Sequence, residues 1–549
     1  MNAFKRKSLY TAVVAGLGAL GASQASAVNI NPDGTGEVLL YPYYTVRNGF
    51  ITSFSVVNTN TSHTKAAKVR FLEGKNSAEV LDFNLFLSPR DVWTGQISDN
   101  GTGGVLTTTD RSCTAPAIPA AGQPFSNAYY TGALIVPPAD SGGASLDRTR
   151  EGYIEIIEMG VVANGVDAAS SPATVLGTTI ATAVKHGSTG IPANCAVIQV
   201  DGLLGGAGNP TNGSDMREPV GGLTGNGIII NAASGTEFAY TPIALDNFFN
   251  PIFSASLYFD PGQVSPQLSN AFPFRSDVFV ATAGTPAVLT VSDWGAAPSS
   301  STSGIDAVSA VLMRSAIINE YDISPNFKTD WVVTQPTKRA YVFPVAVPIG
   351  PFANLFTGTA PNATSCDPVL VTGYDREEAP YFQTTGISFS PRPAGSVAGF
   401  GNICYEATVI TIAPFGVVPP AVNTASGSSI FGSVNNGFIN LPANGTTGTP
   451  PAPNYTAGWI GLYPTATTST PVGSNHPGQF MSGGGSLAVT TTLLASGGLR
   501  GALQVHSDAV ARRYRGLPVI GFQATQALLS GQGYGGIFAH KFNRTISAP

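Results

Sequence analysis

The sequence predicts a mainly β protein. It reads as two or three β-sandwich units, immunoglobulin-like or jelly-roll-like, with long Gly/Pro/Thr-rich loops and one short helix near 305–321. Three observations predict it. Gly (64) and Pro (41) together form about a fifth of the 549 residues, above ordinary usage, so turns are frequent. Hydrophobic residues still make up 43%, enough to bury a core rather than leave the chain disordered. Apolar and polar residues alternate with period two in many short runs, whereas helical periodicity is convincing once.

Taken in order, residues 1–27 read as a signal peptide. Lys5-Arg6-Lys7 is the basic region, Leu9 to Leu20 the short apolar region, and Ala25-Ser26-Ala27 the cleavage site. No later stretch is long enough to span a bilayer as a helix. Residues 28–250 are expected to form an N-terminal β-sandwich with disulfide-tied loops. Glu37–Tyr44 is an aromatic-rich strand interrupted at Pro42. Phe50–Asn58 places Thr52, Phe54, Val56 and Asn58 on one face. Val69 and Phe71 point inward from 68–73, and Leu81, Phe83, Leu85 and Leu87 from the next run. Residues 96–145 and 163–226 read as long loops. Gly227–Asn231 and Thr236–Tyr240 flank a turn and read as a hairpin.

Residues 251–420 are expected to form a second β-rich domain, which the β-rich 421–549 region completes or follows. Val308, Val311, Leu312, Ser315 and Ile318 give the helical stripe of 305–321, and Leu312 and Met313 read as core. Gly202–Gly208 and Gly483–Gly485 lack a strand-to-helix context and read as loops. There is no 20–50-residue repeat, which argues against a solenoid or propeller.

Composition bounds the function. Formal charge is -5 without a basic patch, so nucleic acid is not an expected partner. The four cysteines, Cys113, Cys195, Cys366 and Cys404, follow the expected signal peptide, and an oxidising compartment favours their pairing. The two local pairings, Cys113–Cys195 and Cys366–Cys404, are preferred among three connectivities. Five histidines form no H-E-x-x-H or H-x-H motif; there is no C-x-x-C-H, G-x-S-x-G or phosphate-binding loop. No cofactor or resident metal is expected. Calcium is the one cation that Asp- and Asn-bearing surface loops would take, although no D-x-D-x-D-G loop occurs.

Carboxylates are the remaining candidates for chemistry. The run Glu151–Met159 carries Glu151, Glu155 and Glu158, and a second group is Asp375, Glu377 and Glu378. Glycosidases need two carboxylates facing each other across a cleft. Strand alternation instead sets Glu155 and Glu158 on opposite faces. A structural ion pair is therefore expected for Glu155, with Arg148, Arg150, Lys338 and Arg339 as candidate partners. Trp93 and Trp331 read as core. So do Tyr41, Tyr43 and Tyr44, the alternative being a sugar-stacking platform.

Four motifs carry a resemblance: Glu-Val-Leu-Asp-Phe-Asn-Leu-Phe-Leu-Ser-Pro-Arg-Asp-Val-Trp (79–93), Arg-Thr-Arg-Glu-Gly-Tyr-Ile-Glu-Ile-Ile-Glu-Met-Gly (148–160), Thr-Asp-Trp-Val-Val-Thr-Gln-Pro-Thr-Lys-Arg (329–339) and Gly-Leu-Pro-Val-Ile-Gly-Phe-Gln-Ala (516–524). They resemble those of a family of exported proteobacterial proteins of the cell surface. The resemblance implies export and surface location and brings no catalytic residues with it. The expectation is a secreted or surface-held structural protein, a subunit of an S-layer, sheath, matrix or filament, with the periplasm as another location. Its expected partners are further copies of itself or other surface components. The alternative is a glycan-binding adhesin or a polysaccharide-active protein.

Overall fold

In the computed structural model, residues 27–133, 138–201, 214–250, 256–280, 288–294, 303–360, 362–378, 380–382, 400–414, 427–441, 454–464, 480–490, 504–508 and 512–547 are described. The expected signal peptide lies outside them save Ala27, as do Gly202–Gly208. The N-terminal half contributes β1 (Val38–Thr45), β2 (Ile51–Asn58), β3 (Lys65–Glu73), β4 (Glu79–Leu87), β5 (Val92–Asp99), β6 (Glu151–Val162), helix α1 (Val175–Val184), β7 (Leu223–Asn231) and β8 (Thr236–Tyr240). The C-terminal half contributes helix α2 (Ser303–Leu312), β9 (Ala316–Asp322), β10 (Phe327–Thr334), β11 (Asp367–Asp375), β12 (Ala407–Pro414), β13 (Asn436–Leu441), β14 (Ala457–Pro464), β15 (Ile520–Leu529) and β16 (Gln532–Ala539).

The protein is mainly β, and almost every strand pairing is antiparallel. In one sheet β1, β6, β3 and β4 are consecutive neighbours; in a second, β8, β7, β2 and β5. The alternation read from 52–58 holds: Thr52, Phe54, Val56 and Asn58 are buried and the residues between them half-buried. The expected hairpin also forms, with Asn231 opposite Thr236. In the C-terminal half β13, β12, β10, β15 and β16 form one sheet, and β11, β14 and β9 lie together in another.

Two large cores lie between these sheets. One collects Tyr41, Phe54, Phe71, Trp93, Ile154 and Ile156, together with Val332, Val409 and Phe522. The other collects Val38, Leu40, Ile157, Val308, Trp331, Val333, Ile410 and Ile412. Alternate residues of β1, β6, β10 and β12 therefore enter different cores, as a strand buried on both faces requires. Each core draws on both sides of position 250. The 421–549 segment supplies β13, β14 and β15 as partners of strands from 316–414, and β16 pairs in turn with β15.

The helix near 305–321 stops at Leu312. Met313–Arg314 pairs with Leu517–Pro518, and β9 pairs with β14 on one side and 541–543 on the other. Ser315 and Ile318, expected on the helical stripe, thus lie outside the helix. Two strand partners and the β-branched pair Ile317-Ile318 outweigh the helical spacing. Leu312 and Met313 are core, as expected. Within the expected 96–145 loop, 104–107, 114–115 and 123–124 form short strands. The 163–226 region contains α1, capped by Thr174 Oγ1 accepting from the Gly177 N–H at 2.9 Å, and a second helix at Ala196–Asp201. Gly483–Gly485, read as loop, lie within the strand Phe480–Thr490.

Both disulfides join the preferred partners, Cys113 to Cys195 and Cys366 to Cys404. They close segments with sequence separations of 82 and 38. Among the described residues no helix is long and apolar enough to cross a membrane.

Candidate functional site

The charged residues of β6 and of the turn before it organise an open cleft. Glu151 is fully buried at the start of β6. Its Oε1 accepts from Arg47 Nε at 2.9 Å and its Oε2 from the Tyr43 hydroxyl at 2.8 Å. The Val434 N–H also donates to Oε1, at 3.0 Å, which ties the N-terminal sheet to a loop of the C-terminal half. Arg47 continues to Asp147, 2.7 Å away, and Arg150 holds Asp147 at 2.9 Å and Asp99 at 3.2 Å. One layer deeper, Arg148 binds Glu73 at 2.8 Å and Asp140 at 2.7 Å, with its guanidinium 4.0 Å from the centre of the Tyr130 ring.

The opposite wall is fixed from beneath by Asp330 of β10. This buried carboxylate takes four donors: Thr411 Oγ1 (2.7 Å), Ser429 Oγ (2.8 Å), and the N–H groups of Ile430 (2.9 Å) and Phe431 (3.2 Å). So held, the 427–435 loop faces residues 46–51 and 142–150 across a cleft of about 1210 Å³. Asn48, in the left-handed region at φ 53°, donates from Nδ2 to Ile430 O at 2.8 Å and closes one end. Lys328 reaches the same loop, donating to Ser429 O at 3.1 Å.

Burial and ion pairing oppose each other in these acids. Burial alone would raise Asp140, but the hydrogen bonds and charge of Arg148 hold it below the ordinary carboxylate range. Asp147 is depressed against its own burial by Arg47 and Arg150. Burial lowers Lys75 at the rim, and the neighbouring Arg148 charge adds to that. Asp140 and Asp147 are thus held as carboxylates by arginine, which leaves these two little basicity for proton transfer. What the walls offer is a dense set of donors and acceptors for a hydrophilic ligand.

The structure redistributes the expected ion pairs. Glu155 is ion-paired, but to Arg70, with Nη1 and Oε2 2.5 Å apart. Arg70 is its register partner across β3 and β6, and directly opposed side chains are the natural contacts of a sheet. Arg70 also holds Glu79 at 2.7 Å. The four expected partners lie elsewhere. Arg148 and Arg150 serve the cleft. Lys338 is 2.9 Å from Asp367, and Arg339 Nη1 donates to Asn76 O at 2.7 Å. Glu158 binds Lys65 at 2.6 Å. Tyr41, Tyr43 and Tyr44 are fully buried, so they are core and not a platform; Trp93 and Trp331 are core as well. Asp375 is buried and accepts from the Glu377 and Asn454 N–H groups, while Glu377 and Glu378 are exposed. Among the described residues no group of three His, Cys, Asp or Glu side chains is placed to hold a metal ion.

Arg47, Arg70 and Asp330 were not singled out in the sequence. The one available signal was a lone charge within or just beyond an apolar strand, a position that demands a partner. Comparison with protein-family models, with curated proteins and with solved structures finds no match to the chain.

Proposed function

We propose that the chain is an exported structural protein of the bacterial cell surface that works by association with further copies or other surface components. The observation that carries this is where the surface is apolar. Leu529, Tyr534, Phe538 and Phe542 are 46%, 60%, 54% and 44% exposed and cluster within the last strands, whereas other exposed apolar side chains such as Val175 and Val347 are scattered along the sequence. Tyr534 and Phe538 point outward from β16, while Ile537 packs inward against a core. Exposed aromatic residues grouped near sheet edges favour protein contacts. The paired cysteines fit an oxidising compartment. Sedimentation velocity over a concentration series, with and without calcium, tests the reading. The parent is expected to self-associate, and Tyr534→Ser with Phe538→Ser to move the transition about tenfold or more higher in concentration. A chain that stays monomeric throughout would end this reading.

The cleft favours a second reading, glycan binding. Its walls present Arg47, Asp147, Arg150, Lys328, Ser429 and Asn435 to a space large enough for several sugar rings. Calorimetric titration with soluble bacterial polysaccharides is expected to show binding at ~mM or tighter, weakened by Lys328→Ala. No heat across neutral and acidic glycans would remove this reading.

A further inference from the structure

Two buried side chains beside the Cys366–Cys404 disulfide are in contact and set for a reaction with each other, and a third buried acid lies near enough to feel the charge of one of them. Lys338 and Asp367 are 1% and 0% exposed, with Nζ 2.9 Å from Oδ2. The contact is not a hydrogen bond aligned on that oxygen, because Oδ2 has no hydrogen-bond partner. The ammonium instead donates to Ser365 O at 2.5 Å and Gln335 Oε1 at 3.2 Å. Two other buried lysine pairs behave differently. Lys65 and Lys68 make directed hydrogen bonds to Glu158 at 2.6 Å and Asp82 at 2.8 Å. Asp367 Oδ1 accepts the Ala353 N–H at 2.8 Å, so one carboxylate oxygen is fixed by a backbone donor and the other lies beside the amine nitrogen.

The third group is Glu406, buried at 1% exposure, whose Oε2 also lacks a hydrogen-bond partner. Burial raises it to about 8, and the Lys338 charge is the strongest influence in the other direction. It is therefore a neutral acid at neutral pH. The disulfide binds the residue before Asp367 to the residue two before Glu406, and the Gln335 N–H donates to Glu406 O at 2.6 Å. The Phe352 ring centre lies 5.5 Å from Nζ and gives the site an apolar wall.

We propose that Lys338 and Asp367 join in an amide crosslink, with Glu406 as the proton carrier. One proton passes from Nζ to Oδ2, turning the ion pair into a neutral amine and a neutral acid. The Nζ lone pair then forms a bond to Cγ of Asp367. The negative charge that develops on Oδ1 is met by the Ala353 N–H. Glu406 gives its own proton to Oδ2 as its other carboxyl oxygen takes a second proton from Nζ, the Cγ–Oδ2 bond breaks, and water leaves. The amide keeps one hydrogen on Nζ, directed at Ser365 O, and Glu406 is restored. No oxidant or further reactant is needed. Holding amine and acid in contact in a dry site replaces the activation that amide formation requires in water. The product joins the end of the β10 segment to the start of β11 covalently, beside the disulfide.

Mass spectrometry of the full chain, reduced and alkylated, decides the matter. The parent is expected one water lighter than its sequence mass, with a branched peptide in the proteolytic map that joins residues 338 and 367. Glu406→Gln and Lys338→Arg are expected at full mass with the two peptides separate. A parent at full mass with separate peptides would overturn the proposal and leave an ordinary buried ion pair. A crosslink formed as completely in Glu406→Gln would overturn the role of Glu406. The map of the parent stands whether or not the variants fold.

Discussion

Arg148→Met is expected to destabilise the fold by about 3–5 kcal/mol, read as a lowered urea midpoint with an unchanged slope. The guanidinium binds two carboxylates that have no exposure at all, Glu73 and Asp140, through four hydrogen bonds of 2.7 to 3.2 Å. Methionine keeps the aliphatic stem against the Tyr130 ring but leaves both buried acids without the guanidinium that hydrogen-bonds them, with only the more distant Lys75 and Arg339 charges nearby. Neither can relax cheaply. Glu73 also accepts the N–H groups of Lys75, Asn76 and Ala78, so it fixes the turn between β3 and β4. Asp140 accepts from Gly142 N at 2.9 Å and holds the loop that forms one wall of the cleft. Arg150→Met supplies the contrast. Its partners Asp99 and Asp147 are 36% and 41% exposed, and an ion pair open to water contributes about 1 kcal/mol or less. Equal losses in the two variants would contradict the distinction drawn between a buried frame and an exposed rim.

Much of the β architecture was legible because its signals are local. The 52–58 alternation, the 227–240 hairpin and the end of the 81–87 run depend on side chains two residues apart and on turn residues between them. The cysteine pairing was legible for a similar reason, since the local connectivity is the one that forms. What stayed hidden is non-local. Glu155 pairs with a residue 85 positions away because β3 and β6 are neighbours, and the arginines near it in sequence answer to other acids. The cleft is built from segments near 47, 145, 328 and 430, none of which is distinctive by itself. The lost end of the 305–321 helix has the same origin, for only the partners of β9 show that an Ile-Ile-Asn-Glu-Tyr run is extended. The core position of the tyrosines at 41–44 is legible because three tyrosines in four residues carry more apolar area than a surface would expose, but the strand Val38–Thr45 continues through Pro42, where the sequence predicts a break.

The buried acids set the direction in which pH acts on stability. Burial raises Glu79 to about 7 despite Arg70, and Glu406 to about 8. A single guanidinium, Arg70, faces both Glu79 and Glu155, so it cannot neutralise two carboxylates in one dry site. Burial also raises Glu155 against the pull of Arg70. In the unfolded chain these groups titrate near the ordinary 4.5. Between that value and the folded one the native state binds more protons than the unfolded state. Their stabilising contribution is then complete below pH 4.5 and is lost as pH rises through about 7 to 8. His540 works in the opposite sense, because burial lowers it from 6.5 to about 4, and stability is lost as pH falls through that window. The two effects separate above pH 6.5. From pH 6.5 to 8.5 Glu79 and Glu406 are expected to cost the parent on the order of 2–3 kcal/mol, and Asp277, raised by burial to about 7, adds in the same direction. Glu79→Gln leaves Arg70 with Glu155 alone and removes the Glu79 share, so its urea midpoint should fall less steeply over the same range. A parent midpoint that rises from pH 6.5 to 8.5 would mean that these acids are ionised in the folded protein. Burial would then not dominate the charge state of the sheet formed by β3, β4 and β6.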